Sequence, residues 1–450
     1  MEMKNVHSVY FIGIGGIGMS ALARYFAFLG KTVGGYDKTV TVLTNELSAS
    51  GMYVHYEDSI QQVPPVFLDK KNTLIVYTPA IPAEHTELTY FRAHNFTLMK
   101  RAEVLGLITR ETFCFAVAGT HGKTTTSAIL AHILHETGTP LTAFLGGISE
   151  NFQSNFIARG EEVTIAEADE FDRSFLHLSP DVACITSMDA DHLDIYGEKA
   201  SLEEAFRAFA KKLKPGGQLF VKSGLPVEGI TYGINDNSDY CIKNLKIKNA
   251  TYVFDVVTPT EVIKGVEFSK PGQHNLLNGL VAFAMAVQTG TSTYRLAKAL
   301  KTFKGVKRRF SYQIQKEDLV YIDDYAHHPT EIDAVYQAVR EMHPKKQVLA
   351  VFQPHLYSRT KDFADAFAKS LSYFDEVILL DIYPAREKPI PGINSDWLLE
   401  KITITKKQKL SKSGLLAYLT TKETGVILTL GAGDIGEQVE HIKAILLHEN

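Results

Sequence analysis

The sequence FCFAVAGTHGKTTTSAILAHILH occupies residues 113–135 and decides how the chain is interpreted. Its first six residues, Phe113–Ala118, are mostly apolar, as expected for a buried strand. Glycines follow at Gly119 and Gly122, and an apolar pattern with helical spacing runs over 124–135. A strand that runs through a glycine loop into a helix is the context of a phosphate-binding loop.

The loop supplies the groups that phosphate chemistry needs. Glycines let backbone N–H groups surround phosphate oxygens, and the following helix directs its positive end at them. The ammonium group of Lys123 can reach the β- and γ-phosphates, and the hydroxyl of Thr124 can bind Mg²⁺. Val117 stands where the usual spacing has its first glycine, so this loop is a shortened relative. We expect an ATP site formed by Gly119, Thr120, His121, Gly122, Lys123, Thr124 and Thr125.

The chain around this loop has the composition of a globular protein. Of its 450 residues, 45% are hydrophobic and 22% are charged, which are ordinary values. Short apolar strands alternate with helical patterns, which indicates α/β units with parallel sheets. The length indicates about three domains. We place them at residues 1–108, 109–306 and 307–450.

Charge and cysteine content limit the partners and the compartment. The net charge of −4 gives no reason to expect nucleic acid or an acidic membrane as partner. No apolar run approaches the roughly 18 residues of a membrane span, and the N-terminus has no signal-peptide pattern. The three cysteines, Cys114, Cys184 and Cys241, are far apart, as in a reducing compartment. We therefore expect a cytoplasmic protein without nucleic-acid or membrane partners.

Acidic residues follow the predicted strand over 163–166. Functional residues of open α/β sheets collect at the carboxyl ends of strands, and Glu167 stands there as a ligand for Mg²⁺. Asp169, Glu170 and Asp172 are either further ligands or an acidic surface turn. The next strand, over 183–187, ends in MDADHLD, where His192 lies among three aspartates and can bind a second metal ion or orient a phosphate.

A second glycine loop stands near the N-terminus. The residues Gly13-Ile14-Gly15-Gly16-Ile17-Gly18 follow a predicted strand, open a helix, and precede Asp37 by about 20 residues. This pattern is the fingerprint of dinucleotide binding, in which a diphosphate lies at a helix N-terminus. The loop alone suggests NAD, and a different diphosphate would fit equally well.

Polar loops also follow strands late in the chain. The strand over 319–323 leads into DDYAHHPTEI and a helix over 329–342, and the strand over 348–352 leads into FQPHLYSRT and a helix over 361–374. Arg359 in the second loop can bind a carboxylate with two parallel hydrogen bonds. These loops are predicted to line one side of a cleft, although any single residue here could be a helix cap or a surface charge.

Taken together, these segments resemble the Mur ligases, the ATP-dependent peptide synthetases that build the stem peptide of peptidoglycan. The resemblance covers nearly the whole chain, in the family's order. It is carried by FIGIGGIGMSALA, AGTHGKTTTSAIL, EADEFDRSFLHLSP, DADHLDIYG, GQHNLLNGLVA, GVKRRF, DDYAHHPTEI, FQPHLYSRT, DIYPAREKPIPG and GAGDIG.

The resemblance implies a three-domain α/β fold. An N-terminal Rossmann-like domain would bind a UDP-sugar, a central P-loop-type ATPase domain would bind ATP, and a C-terminal Rossmann-like domain would help to close over nucleotide and amino acid. Within the family the sequence is most similar to members that use ATP and Mg²⁺ to join L-alanine to the lactyl carboxylate of UDP-N-acetylmuramate. Their reaction runs through an acyl phosphate and releases ADP and phosphate. The oligomeric state stays open.

The resemblance also implies roles for particular residues. Lys123, Glu167, His192, His327 and Arg359 would be catalytic, and Thr124, Glu167 and His192 would bind Mg²⁺. Adenine would contact Asn275 and Asn278, Arg309 would reach the phosphates of ATP, and Asp324 would reach its ribose. His327 and Arg359 would lie on the alanine side. The diphosphate of the UDP-sugar would be held by Gly13, Ile14, Gly15, Gly16, Ile17, Gly18 and Asp37.

Three other functions are weighed against this one. Phe171 and Arg173 are similar to residues of the related ligase that recycles an intact tripeptide onto UDP-N-acetylmuramate. An NAD-dependent oxidoreductase would rest on Gly13–Gly18, and the ATP loop argues against it. A nucleotide-binding regulator without catalysis is the third alternative.

Overall fold

The architecture comes from a computed structural model that describes residues 6–189, 199–248, 251–385, 387–422 and 424–448. The described residues form three β-sheets with helices between the strands. The chain falls into two compact units. One consists of residues 1–246, 253–268 and 277–304, and the other of residues 247–252, 269–276 and 305–450.

The first sheet is parallel, and its three inner strands are mostly buried because helices cover both faces. The strands are β1 (Ser8–Ile12), β2 (Thr32–Tyr36), β3 (Tyr53–His55), β4 (Thr73–Tyr77) and β5 (Thr97–Lys100), in the order β3-β2-β1-β4-β5. The helices are Ile17–Phe28, Val42–Ala49, Thr86–Ala93 and Arg101–Glu111, with 3₁₀ turns at Ile60–Gln62 and Pro65–Leu68. The strand order reverses at β1, so the loop after β1 lies where such sheets bind ligands.

The second sheet places its central strand, β6, between β9 and β10, parallel to both. Its strands are β6 (Phe113–Ala118), β7 (Leu141–Ser149), β8 (Ser154–Ala158), β9 (Val163–Ala168), β10 (Val182–Ile185), β11 (Gln218–Lys222), β12 (Ile230–Ile234), β13 (Tyr240–Lys248), β14 (Thr251–Val257) and β15 (Val262–Phe268). The helices are Lys123–Glu136, Lys199–Ala210, Gln273–Val287 and Thr293–Lys301, with a 3₁₀ segment at Phe171–His177. The residues that follow β6, β9 and β10 therefore meet at one edge.

The third sheet has the order β16-β17-β21-β18-β19-β20. Its strands are β16 (Ser311–Gln315), β17 (Leu319–Asp324), β18 (Val348–Phe352), β19 (Glu376–Leu379), β20 (Lys407–Lys409) and β21 (Gly425–Leu430). β16 is antiparallel to β17, and the other pairs are parallel. The helices are Pro329–Met342, Tyr357–Asp362, Ala364–Leu371, Ser395–Lys401, Lys412–Leu419 and Val439–Leu447, with a 3₁₀ turn at Asp434–Gln438.

A continuous apolar core joins the first and second sheets. It contains Phe11 and Tyr25 from the N-terminal region together with Ala116 and Phe144 from the central region. The rings of Tyr25 and Phe144 lie edge to face at 5.4 Å between centroids. Both glycine loops thus connect elements that share one hydrophobic core.

The prediction of an α/β fold with Rossmann-like first and third regions and a P-loop-type central region is confirmed. The predicted domain boundaries stay a prediction. The prediction of a single helix over 361–374 is wrong, because two helices, Tyr357–Asp362 and Ala364–Leu371, are separated by Phe363. The ring of Phe363 packs edge-on against His328. Among the residues that the structure describes, no helix is long and apolar enough to cross a membrane.

Candidate active site

The loop after β6 has two glycines in the left-handed region of φ. Gly119 has φ 136°, and a Cβ atom there would lie 2.1 Å from Oγ1 of Thr186. Gly122 has φ 85°, and its Cβ would lie 2.6 Å from Oδ1 of Asn278. Glycine is required at both positions because the backbone conformation and the close neighbours exclude a side chain.

Residues after β10 hold the loop in shape. The hydroxyl groups of Thr120 and Ser187 share a hydrogen bond of 2.9 Å, and the Ser187 hydroxyl accepts the backbone N–H of His121 at 2.7 Å. In return, the N–H of Asp189 donates to the Thr120 hydroxyl at 3.0 Å. The side chains of Thr120 and Ser187 thus serve the loop itself.

Lys123 is the first residue of the helix Lys123–Glu136, and its side chain turns back over the loop. Its ammonium group donates to the carbonyl of Gly119 at 2.7 Å and to the two carboxylate oxygens of Glu170 at 2.9 and 2.7 Å. Burial lowers the pKa of Lys123, but the nearby carboxylates, that of Glu170 first, outweigh burial, and the net shift is upward. The ammonium group therefore stays charged.

Thr124 and Glu167 lie together beside the loop. The Thr124 hydroxyl donates to one carboxylate oxygen of Glu167 at 3.0 Å, and the other oxygen accepts the N–H of Gly146 at 2.8 Å. Burial raises the pKa of the Glu167 carboxyl, and the positive charge of Lys123 acts in the opposite direction. Mg²⁺ prefers hard oxygen ligands, such as hydroxyl and carboxylate groups. The Thr124–Glu167 pair therefore fits the predicted metal site.

The second predicted metal ligand, His192, lies outside the described residues. Nearby, Nε2 of His121 is 3.6 Å from a carboxylate oxygen of Asp189. Within the described part of the chain, no group of three or more histidine, cysteine or acidic residues has the geometry of a metal centre. Of the three predicted metal ligands, the described residues include Thr124 and Glu167, which are in contact.

Of the two asparagines predicted at adenine, the structure brings Asn278 to the loop. Its side chain is buried and lies against Gly122. Asn275 is also buried, and its side-chain amide donates to the carbonyl of Pro271 at 2.6 Å. Thr125 is buried in the first turn of the helix after the loop.

The N-terminal glycine loop differs in its supporting groups. The N–H groups of Gly13 and Ile14 donate to the carbonyl of Tyr36, and the N–H of Gly15 donates to the carboxylate of Asp37 at 2.7 Å. Gly16 precedes the helix Ile17–Phe28 as its N-cap. The strands β1 and β2 thus hold Asp37 at the loop, and its predicted role in binding the UDP-sugar stays a prediction.

Within this loop the two isoleucines have different surroundings. Ile14 is fully buried in the core, whereas Ile17 is 38% exposed. Gly18 lies against Arg101, whose Nη1 would be 2.8 Å from a Cβ atom there. The Arg101 guanidinium is also 3.6 Å from a carboxylate oxygen of Asp169.

In the second compact unit, Asp324 stands at the end of β17. Its carboxylate accepts the N–H groups of Phe310 and Ala326, each at 2.7 Å. Burial raises the pKa of Asp324 to about 6, although the charge of Arg309 and these N–H groups act against the rise. The guanidinium of Arg309 lies over the ring of Tyr325 at 5.1 Å.

His327 and Arg359, predicted on the alanine side, lie near a third residue, His355. The imidazole rings of His327 and His355 are 6.1 Å apart, and Nη1 of Arg359 is 3.5 Å from Nδ1 of His355. Burial lowers the pKa of His355 to about 4, and the charges of His327 and Arg359 add to that effect. Glu331 lies 3.3 Å from Nδ1 of His327 and 3.7 Å from Arg309.

The sequence analysis missed some residues of these clusters. Ser187 ends the predicted strand over 183–187, and His355 stands in the quoted segment FQPHLYSRT; neither was given a role, and the available signal was that each lies within three residues of the end of a buried strand. Glu170 was left between a metal ligand and a surface turn, yet its carboxylate binds Lys123.

Comparison with known families gives three matches in chain order. Residues 8–112 match the description "Mur ligase family, catalytic domain", residues 117–286 match "Mur ligase middle domain", and residues 308–433 match "Mur ligase, glutamate ligase domain".

Similar proteins cover the chain from end to end. The UDP-N-acetylmuramate–L-alanine ligase of Flavobacterium psychrophilum is 60% identical over 443 residues, which cover 98% of this chain and 99% of that protein. The ligase of the same name from Christiangramia forsetii is 60% identical over 449 residues, covering 100% and 99%.

Solved structures have the same fold. The UDP-N-acetylmuramate–alanine ligase of Thermotoga maritima superposes with a TM-score of 0.81 at 26% identity, over 98% of each chain. The murein peptide ligase of Psychrobacter arcticus superposes with a TM-score of 0.69 at 23% identity, also over 98% of each chain. The second likeness is one of fold alone.

Proposed function

The chain belongs to the Mur ligase family, and from this premise we propose that it joins L-alanine to the lactyl carboxylate of UDP-N-acetylmuramate, with ATP as phosphoryl donor. The observation that carries the proposal is the loop Gly119–Thr125 with the ammonium group of Lys123 beside it and the Thr124–Glu167 pair 3.0 Å apart. The names of relatives at 60% identity supply the substrates.

The chemistry follows from the weakness of a carboxylate as an electrophile. Transfer of the γ-phosphoryl group of ATP gives an acyl phosphate, the amine of alanine attacks its carbonyl carbon, and phosphate leaves. Little covalent work falls to the protein, so its task is to position the reactants and neutralise charge. Lys123 is the residue placed to stabilise the transferred group, because its charged ammonium group lies over the loop.

Thr124 and Glu167 would hold Mg²⁺. The ion would neutralise phosphate charge when bound. The assignment rests on the donor set: a hydroxyl and a carboxylate in contact, beside the proposed phosphate-binding loop. The proposed second ion would use Glu167 and His192.

The N-terminal loop is assigned to the UDP-sugar, with the backbone of Gly13–Gly18 around the diphosphate and Asp37 fixing the loop through Gly15. Asn275, Asn278, Arg309 and Asp324 are proposed on the ATP side, and His327 and Arg359 on the alanine side. We keep the division into residues 1–108, 109–306 and 307–450 as part of the proposal.

The tripeptide-recycling reaction is the second candidate. A ligase from Neisseria meningitides that is named for UDP-N-acetylmuramate and L-alanyl-γ-D-glutamyl-meso-diaminopimelate is 22% identical to this chain, against 60% for the relatives named for L-alanine. An NAD-dependent oxidoreductase and a non-catalytic regulator have no comparable support.

A phosphate-release assay tests the proposal. The purified protein is given ATP, Mg²⁺ and UDP-N-acetylmuramate with either L-alanine or L-alanyl-γ-D-glutamyl-diaminopimelate. Release that requires L-alanine supports the proposed ligation. Release with the tripeptide alone establishes the recycling reaction instead, and no release with either one rejects both.

A further inference from the structure

The side chain of Glu170 makes a complete set of contacts with Lys123. An ammonium group has three N–H donors. In Lys123 they face the Gly119 carbonyl at 2.7 Å and the two carboxylate oxygens of Glu170 at 2.9 and 2.7 Å. The lysine that must bind phosphate is thus already satisfied by the protein.

Phosphate and Glu170 compete for the same group. A phosphate oxygen that binds Lys123 needs at least one N–H that now points at Glu170 or Gly119. A carboxylate and a phosphate beside one buried ammonium group also repel each other. Because the Glu170 side chain is fully buried, loss of the Lys123 contact removes a close opposite charge from a carboxylate in the protein interior. ATP binding therefore works against this ion pair.

The backbone around Glu170 holds the carboxylate in place. The carboxylate of Asp169 accepts the N–H of Phe171 at 3.1 Å, and the carbonyl of Glu170 accepts the N–H of Arg173 at 2.9 Å. Asp172 and Arg173 both have positive φ, of 50° and 55°. Left-handed residues other than glycine are strained and cluster at functional sites.

The two glutamates of this segment bind different groups of the loop. Glu167 binds the hydroxyl of Thr124, and Glu170 binds the ammonium group of Lys123. A purely structural ion pair would not need to fall on the one lysine that the phosphate-binding loop presents.

We propose that Glu170 is a positioning residue that holds Lys123 over the loop before ATP binds and releases it to the phosphates of ATP. Glu170 thereby weakens ATP binding and increases turnover, because the lysine arrives in place and charged. This inference rests on the proposed function, since it concerns the same phosphate-binding loop.

The test replaces Glu170 by glutamine, which has the same shape without the charge. Calorimetric titration with ATP and Mg²⁺, in the absence of UDP-sugar and amino acid, is expected to show about tenfold tighter binding, at the low end of what close charge pairs contribute. In the ligation assay, kcat is expected to fall about tenfold. Glu170→Asp keeps the charge on a shorter side chain, and we expect its effects to lie between wild type and Glu170→Gln.

Glu162→Gln is the matched control, because Glu162 is exposed and the change in charge is the same. It should leave ATP affinity and kcat unchanged. Unchanged or weaker ATP binding by a folded Glu170→Gln protein overturns the proposal. If that variant does not fold, Glu170→Asp decides: about threefold tighter binding supports the proposal, and wild-type affinity rejects it.

ATP titration keeps this test separate from the proposed reaction. A wild-type protein that binds ATP but ligates neither L-alanine nor tripeptide refutes the proposed function. The affinities of the Glu170 variants still decide the role of Glu170.

Discussion

The two glycine loops share a local architecture and differ in what surrounds it. The first loop follows β1, where the strand order of its sheet changes direction, and the second follows β6, which lies between two parallel neighbours. Each loop leads into a helix. At Gly13–Gly18 the supporting contacts include backbone carbonyls and the carboxylate of Asp37, which binds an N–H of the loop. At Gly119–Thr125, Glu170 binds the ammonium group of Lys123, and Glu167 accepts the hydroxyl of Thr124.

This difference separates holding a phosphate from reacting with it. Under the proposed function, the loop whose backbone is fixed by a carboxylate would hold a diphosphate that stays intact. The loop with a charged ammonium group and carboxylates beside it would have charges that change partners during phosphoryl transfer. The comparison makes four predictions, of decreasing size.

Lys123→Ala should have the largest effect, and it should act on turnover rather than on binding of UDP-N-acetylmuramate. It removes the charged donor that we assign to the transferred phosphoryl group, and we expect kcat to fall about 10²-fold or more. The KM for UDP-N-acetylmuramate should change little, because that substrate is assigned to the other loop. Phosphate-release kinetics measure both. Lys70→Ala, an exposed lysine of the N-terminal region, is the control and should behave as wild type.

Gly119→Ala tests how far the shape of the ATP loop matters. The new methyl group would lie 2.1 Å from the Thr186 hydroxyl at a backbone φ of 136°. Strain of about 2 kcal/mol at the loop would weaken ATP binding about 30-fold. Gly16→Ala is the counterpart, since its methyl group would meet nothing closer than 3.6 Å. ATP titration should separate them, and equal ATP affinities would contradict the prediction.

Asp37→Asn tests the N-terminal loop. The carboxylate of Asp37 accepts the N–H of Gly15 at 2.7 Å, and the amide keeps an acceptor while losing the charge. We expect UDP-N-acetylmuramate to bind about fivefold more weakly, the difference between a charged and a neutral hydrogen bond. ATP affinity should not change, and a loss of ATP affinity instead would mean that Asp37 serves another ligand.

The smallest effect concerns Glu87, a buried carboxyl group of the N-terminal region. The hydroxyl of Tyr10 donates to Glu87 at 2.7 Å, and burial raises the pKa of Glu87 from 4.5 to about 7. The folded state therefore binds a proton that the unfolded chain has released between about pH 4.5 and 7, so this group makes stability fall as pH rises through that window.

Glu87→Gln should remove that fall. Denaturant unfolding at pH 6.5 and 8 is expected to show a smaller loss of stability in the variant than in wild type, by about 0.8 kcal/mol. Glu84→Gln, at an exposed position, should keep the wild-type dependence. An unchanged pH dependence in Glu87→Gln would show that Glu87 is ionised in the folded protein throughout. Turnover should be unaffected, in contrast to Lys123→Ala.

Sequence reasoning placed the loops well because strands that are buried on both faces are read directly as apolar runs. The strand Val348–Phe352 and the helix Pro329–Met342 have the predicted bounds. The pairing of Thr124 with Glu167 also followed from the strand-end position of the glutamate.

Glu170 could not be placed in the same way. Its contact with Lys123 depends on a 3₁₀ segment in which Asp172 and Arg173 take left-handed conformations, and nothing in EADEFDR indicates that turn. The helix break at Phe363 likewise depends on a ring contact with His328, 35 positions away. Both are tertiary effects that override local pattern.

The shared core of the first two sheets has a consequence for cooperativity. Tyr25 packs on Phe144, and the side-chain amide of Asn155 donates to the carbonyl of Ile17 at 2.6 Å. Elements that share a core tend to open as one cooperative unit. Nucleotide bound at Gly119–Thr125 should therefore protect the backbone amides of β1 from hydrogen exchange. It would do so without touching them, by making the common opening rarer.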